Sequence, residues 1–115
     1  MFRKLAVVLA VSAVAVLPGE AQEARRVSVV LVHGAFVDAS GWRAVYDILT
    51  RDGYEVLVVQ NPTISLEEDA ALTRRTIAKA KYPVVLVGHS YGGTVITEAG
   101  NDPKVRSAAF IEGAD

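Results

Sequence analysis

The chain has no cysteine, one methionine, one tryptophan and two histidines in 115 residues. Without cysteine there is no thiolate zinc site, no iron–sulfur cluster, no cysteine nucleophile and no cysteine for lipid attachment. Two histidines also leave little room for imidazole chemistry. Charge of either sign is not in excess: 12 Lys and Arg stand against 13 Asp and Glu, so no basic stripe is offered to a phosphate backbone and nucleic acid is not an expected partner. Neither internal repeats nor a linker interrupt the sequence, and 51% hydrophobic with 22% charged residues excludes a disordered or collagen-like chain.

The first residues differ from the rest. Arg3 and Lys4 make a short positive start, and Leu5 to Leu17 follow without a charge. Such a run is shorter than the roughly 20 residues that span a bilayer, but it fits the apolar region of a secretory signal peptide. Pro18 and Gly19 break it, and Gly19-Glu20-Ala21 places small residues where a signal peptidase reads. The expectation is a signal peptide over 1–21, cleavage before Gln22, export to the periplasm or medium, and no stable membrane anchor afterwards. An uncleaved anchor or a buried first helix is the alternative use of the same run.

From Arg25 onward apolar runs alternate with amphipathic ones. Val27 to Val32 is a β-branched run closing at His33-Gly34, as a buried strand would. Ser40 can cap a helix carrying Trp42, Val45, Tyr46, Ile48 and Leu49 on one face, which Asp52-Gly53 ends. Tyr54 to Val59 reads as the next strand and Asn61-Pro62 as a turn. Ser65-x-x-Glu68 opens a helix to about Lys79, with Leu66, Ala70, Thr73 and Ile77 facing inward. Beyond Pro83, Val84 to Val87 is a third strand, Thr94 to about Ala99 a short helix and Ala108 to Ile111 a fourth strand. Wholly apolar strands separated by helices predict a doubly wound, mostly parallel α/β sheet covered on both faces. Ligands of such sheets bind beyond the carboxyl ends of the strands, here at His33-Gly34, Gln60-Asn61 and Gly88 to Gly93.

Three chemistries compete for those loops. A dinucleotide site needs G-x-G-x-x-G after a strand, and neither glycine turn has that spacing. Gly88 to Gly93 does have the outer spacing of a phosphate loop, but Thr94 stands where the lysine is required. The third pattern, G-x-S-x-G, is met by Gly88-His89-Ser90-Tyr91-Gly92 between a strand and a helix. A serine hydroxyl is a poor nucleophile unless it is exposed, positioned and relieved of its proton. A sharp turn does the positioning and requires small neighbours: Gly88 and Gly92 supply them, and Gly93 lets the next helix pack closely. Acyl transfer also needs main-chain N–H donors aimed at the oxyanion from two places. Tyr91, directly after the nucleophile, is one, and Ala35 on the His33-Gly34-Ala35-Phe36 loop is the other, with Phe36 the weaker choice.

With these residues in place the sequence resembles the α/β-hydrolase superfamily, from its third strand to its sixth. Val-Leu-Val-His-Gly-Ala-Phe with Trp42 nearby, the Gln60-Asn61-Pro62 turn and Val-Gly-His-Ser-Tyr-Gly-Gly are similar to the small lid-bearing group of hydroxynitrile lyases, methyl-ester esterases and bacterial relatives. The resemblance runs from about Val27 to Asp115. It implies Ser90 as nucleophile, Ala35 and Tyr91 as oxyanion donors, small carboxylic esters as substrates, and neither metal nor organic cofactor. It also implies an acid and then a histidine on loops after later strands, and no histidine follows Ser90 here. His89 reads as a packing residue, His33 as a loop organiser, and Asp38 as a helix cap. Asp115 is poorly placed to orient an imidazole. The expectation is therefore the N-terminal part of a hydrolase domain over 22–115, inactive alone. The alternative is a non-catalytic hydrolase-like protein that binds a small apolar ligand or a partner chain.

Overall fold

Four strands alternate with helices in the computed structural model, which describes residues 26–112. The expected export segment at 1–21 and the terminal Asp115 lie outside the described residues. Strand β1 is Ser28–Val32. After a loop, a 3-10 turn (Ala39–Trp42) runs directly into helix α1 (Arg43–Arg51). Then come β2 (Glu55–Val59), α2 (Leu66–Lys79), β3 (Val84–His89), α3 (Tyr91–Ala99) and β4 (Val105–Ile111). The sheet order is β2-β1-β3-β4, and every pairing is parallel. Val32 lies beside Val59 on one side and Gly88 on the other, so the carboxyl ends of the three strands finish level and their loops emerge together.

The apolar runs explain this arrangement. β1 is central, and all five of its residues are buried. Successive side chains of a strand point to opposite faces, so one face takes Val30 and Val32 and the other Val29 and Leu31. Val30 and Val32 join Val59, Leu86, Ile77, Val95 and Ile96 beneath α2 and α3. Val29 and Leu31 join Trp42 from the 3-10 turn on the other face. The helices thus cover both sides, as a doubly wound sheet requires, and each fully buried aliphatic side chain contributes about 1.5–3 kcal/mol. At the amino end of the sheet the Ser28 hydroxyl donates to Glu55 and accepts from the Tyr82 N–H, while Glu55 also accepts from the Lys81 N–H at 2.8 Å.

Helix α2 begins as its sequence dictates: the Ser65 hydroxyl accepts from the Glu68 N–H at 3.1 Å, and Ala70, Thr73 and Ile77 are buried. Three readings need correction. Of the two residues expected to cap the first helix, Asp38 does so and Ser40 does not, because the Asp38 carboxylate accepts the Ser40 N–H at 2.9 Å and the chain first makes a 3-10 turn. Val45, Tyr46 and Ile48 of α1 are exposed, and of the expected inner face only Trp42 is fully buried. Finally, α3 starts three residues before Thr94 and β4 three before Ala108. Among the described residues no helix is long and apolar enough to cross a membrane.

Candidate active site

β3 ends at His89 and α3 begins at Tyr91, so Ser90 alone makes the turn from strand to helix. Its backbone sits at φ 56° and ψ −122°, a conformation that costs a non-glycine residue about 1–3 kcal/mol. The surroundings fix it. The Ser90 N–H donates to the Ile111 carbonyl at 3.0 Å, tying the turn to β4, and the Ser90 carbonyl accepts from the Gly93 N–H at 2.8 Å. A methyl group on Gly88 would stand 2.5 Å from the Gly92 carbonyl oxygen, and one on Gly92 would overlap the Val32 carbonyl. The small residues are therefore what allows α3 to start against the end of β1. Gly93 lies under the Phe110 ring. Ser90 is exposed and opens onto a groove of about 360 Å³ shared with Thr94, Phe110 and Ile111.

The loop after β1 comes to the same place. A methyl group on Gly34 would lie 3.2 Å from both the His89 carbonyl oxygen and Ser90 Cβ, so this loop runs directly past the turn. His33, 2% exposed, shapes it. Its Nε2 accepts the Asn61 N–H at 2.8 Å, so the ring proton is on Nδ1, which donates to the Gly34 carbonyl at 2.7 Å. The Asn61 amide returns a hydrogen bond to the His33 carbonyl at 3.1 Å. Both ring nitrogens are thus engaged: Nε2 joins the loop after β1 to the loop after β2, and Nδ1 holds the loop after β1 itself. Gln60 adds to the junction by accepting the Ala39 N–H at 3.0 Å. Ala35 and Phe36 stand exposed on the turn that follows. Half-buried His89 packs edge-on against Trp42, ring centres 6.4 Å apart. Among the described residues no hydrogen bond joins either histidine to the Ser90 hydroxyl.

The structure therefore gathers Gly34, Gly88, His89, Ser90, Tyr91, Gly92 and Gly93 at the ends of β1 and β3. As first residue of α3, Tyr91 has a main-chain N–H without an intrahelical partner, and the amino end of that helix favours negative charge. One polar residue of this region escaped the sequence reading. Asp69, on α2, is completely buried. It accepts the Tyr91 hydroxyl at 2.6 Å on one oxygen and the Thr63 N–H at 3.1 Å on the other. Burial, and then the hydrogen bond and charge of Asp69, push the Tyr91 phenol up to about 12, so at neutral pH it remains a donor. The available signal was its position: Asp69, Thr73 and Ile77 form one i, i+4 row on the inward side of the helix.

Comparison with known proteins now bears on this geometry. The sequence description of the alpha/beta hydrolase family matches residues 29–115. The chain belongs to that family. No curated protein matches the sequence. Two solved α/β structures resemble it. One is an extracellular alpha/beta-hydrolase from a Paenibacillus species, described as sharing structural and functional homology with tobacco salicylic acid binding protein 2. It has a TM-score of 0.65 and 23% identity, over 77% of this chain and 42% of that one. The other, a YdeN-like hydrolase from Pectobacterium atrosepticum, has a TM-score of 0.61 and 17% identity, over 80% of this chain and 50% of its own. The chain thus spans half or less of the length of these structures. Its four parallel strands and flanking helices form part of the α/β-hydrolase fold.

Proposed function

We propose that this chain is the N-terminal part of an exported serine hydrolase that cleaves small carboxylic esters through an acyl-Ser90 intermediate. The observation that carries the reading is Ser90 itself: an exposed hydroxyl, alone between strand and helix at φ 56°, in a turn that Gly88 and Gly92 make sterically possible. In this reading the Ser90 oxygen attacks the ester carbonyl, and the oxyanion is met by the N–H groups of Tyr91 and Ala35. The alcohol leaves, and water then releases the acid from Ser90.

Deprotonation of Ser90 needs a base. His33 has both nitrogens engaged and His89 packs on Trp42, so the reading assigns the triad acid and histidine to a longer chain and expects residues 22–115 alone to turn over little. The same observation favours a second reading, a non-catalytic hydrolase-like protein that binds small apolar ligands.

One experiment separates them. The protein is isolated from its source, its intact mass measured, and that native chain assayed with an activated ester such as p-nitrophenyl acetate beside its Ser90→Ala variant. The hydrolase reading expects the variant to lose about 10⁴-fold or more in turnover, and an acetyl adduct on Ser90 in the unmodified protein. Unchanged activity in the variant removes Ser90 from the mechanism. A native chain with no turnover and no adduct leaves the binding reading.

A further inference from the structure

Asp69 is the one fully buried carboxylate among the described residues. Elsewhere on its row α2 meets the sheet with Thr73 and Ile77, and an apolar residue at 69 would bury there without the desolvation cost of a carboxylate. What a carboxylate supplies instead is direction. One oxygen receives the phenol of Tyr91, the residue after Ser90, and the other receives the N–H of Thr63.

Each of these contacts leads to one side of the proposed oxyanion hole. On the α3 side the path is direct, because the phenol and the oxyanion-binding N–H belong to the same residue. On the β1 side it passes through the loop after β2. Thr63, held at φ 54°, follows Asn61 by two residues, and Asn61 clamps His33 through two hydrogen bonds. His33 in turn binds the Gly34 carbonyl, immediately before Ala35. One side chain therefore sits between the anchors of two donors that lie far apart in sequence. Asp69 also lies in the first turns of α2, where the exposed N–H groups of the helix favour its negative charge.

We infer that Asp69 is a positioning residue that sets the two oxyanion donors of Ser90 at a fixed separation, acting through Tyr91 on one side and Thr63 on the other. The inference rests on the serine-hydrolase reading above. Donors near a developing oxyanion act only when placed to within a fraction of an ångström, and misplacement by about 1 Å can cost about a hundredfold in rate. Loss of Asp69 should thus affect the step in which charge develops and spare substrate binding.

The test compares Asp69→Asn, Tyr91→Phe, the double variant and Ser90→Ala in the native-length protein. Three readouts are taken: kcat and KM with p-nitrophenyl acetate, the inhibition constant of phenylboronic acid, which forms a tetrahedral adduct on serine, and the thermal midpoint. The expected result is a fall in kcat of about 10- to 100-fold in each single variant with KM within about twofold. Boronate binding should weaken in parallel, and the double variant should be little worse than the poorer single one, because both remove the same contact. Tyr91→Phe deletes a single oxygen, so it decides the matter if Asp69→Asn does not fold. Wild-type kcat and boronate affinity in a folded Tyr91→Phe, with Ser90→Ala inactive, overturns the role of Asp69 and leaves Ser90 as nucleophile. Wild-type activity in Ser90→Ala overturns the hydrolase reading and this inference with it.

Discussion

Glu55 lies at the opposite end of the sheet from Ser90, where it joins β2 to β1 and to the turn before β3. Burial pushes its carboxyl pKa up, but the Ser28 hydroxyl, the Lys81 N–H and the positive charges of Lys81 and Lys104 outweigh that and hold it below its ordinary 4.5. A depressed folded value means that Glu55 contributes stability above the unfolded pKa and loses it as pH falls through the folded one. Glu55→Gln should therefore flatten the acid limb: between about pH 5 and pH 3 its denaturation midpoint should fall less steeply than that of the wild type. Urea titrations at a series of pH values check this, and parallel slopes would show that Glu55 carries none of the acid sensitivity. His33 is fixed by its partners in the same way: its two nitrogens face one donor and one acceptor, and the tautomer with the proton on Nδ1 satisfies both.

At the scale of the elements, the strands and α2 were legible because their signals are local and periodic. Val29 to Val32 and Val84 to Val87 are apolar throughout, and Ser65 with Glu68 marks a helix start. The beginning of α3 was not legible: a turn made by one residue in a strained conformation leaves no spacer, so Tyr91 to Gly93 looked like loop when they are already helix. β4 was read short because Arg106 and Ser107, exposed on an edge, do not look like strand residues. Gly88, Ser90 and Gly92 could be placed because a turn imposes its residue types on the sequence. Asp69 and Tyr91, 22 positions apart, leave no such pattern, and an acidic residue early in a helix resembles an ordinary solvated one. The close seating of α3 on β1 gives a prediction of its own. Gly92→Ala puts a methyl group into the Val32 carbonyl, where backbone must move, so it should destabilise the fold by about 1–3 kcal/mol or more. Thermal unfolding measures that loss, and an unchanged midpoint would show that the start of α3 shifts freely away from β1.

At the scale of the whole molecule, the two faces of the sheet are unequally covered. α2 and α3 bury one face well, whereas on the other only Trp42 closes fully over Val29 and Leu31, and α1 leaves Val45, Tyr46 and Ile48 in solvent. β4 is an outer strand whose residues are almost all exposed, with Phe110 and Ile111 at 60% and 45%. A parallel edge strand with apolar side chains and unpaired main-chain groups is a template for pairing with another chain. Residues 22–115 produced alone should therefore self-associate, eluting from a sizing column above monomer mass in a concentration-dependent way. Lysine on the edge should oppose this, because a charge there must be buried for strands to pair: Ala109→Lys with Ile111→Lys should shift the elution toward monomer. Equal elution of the two forms at monomer mass, with one cooperative thermal transition, would mean that four strands and three helices satisfy this sheet without further cover. It would also weaken the assignment of the triad acid and histidine to a longer chain, since that chain would no longer be needed to close the edge.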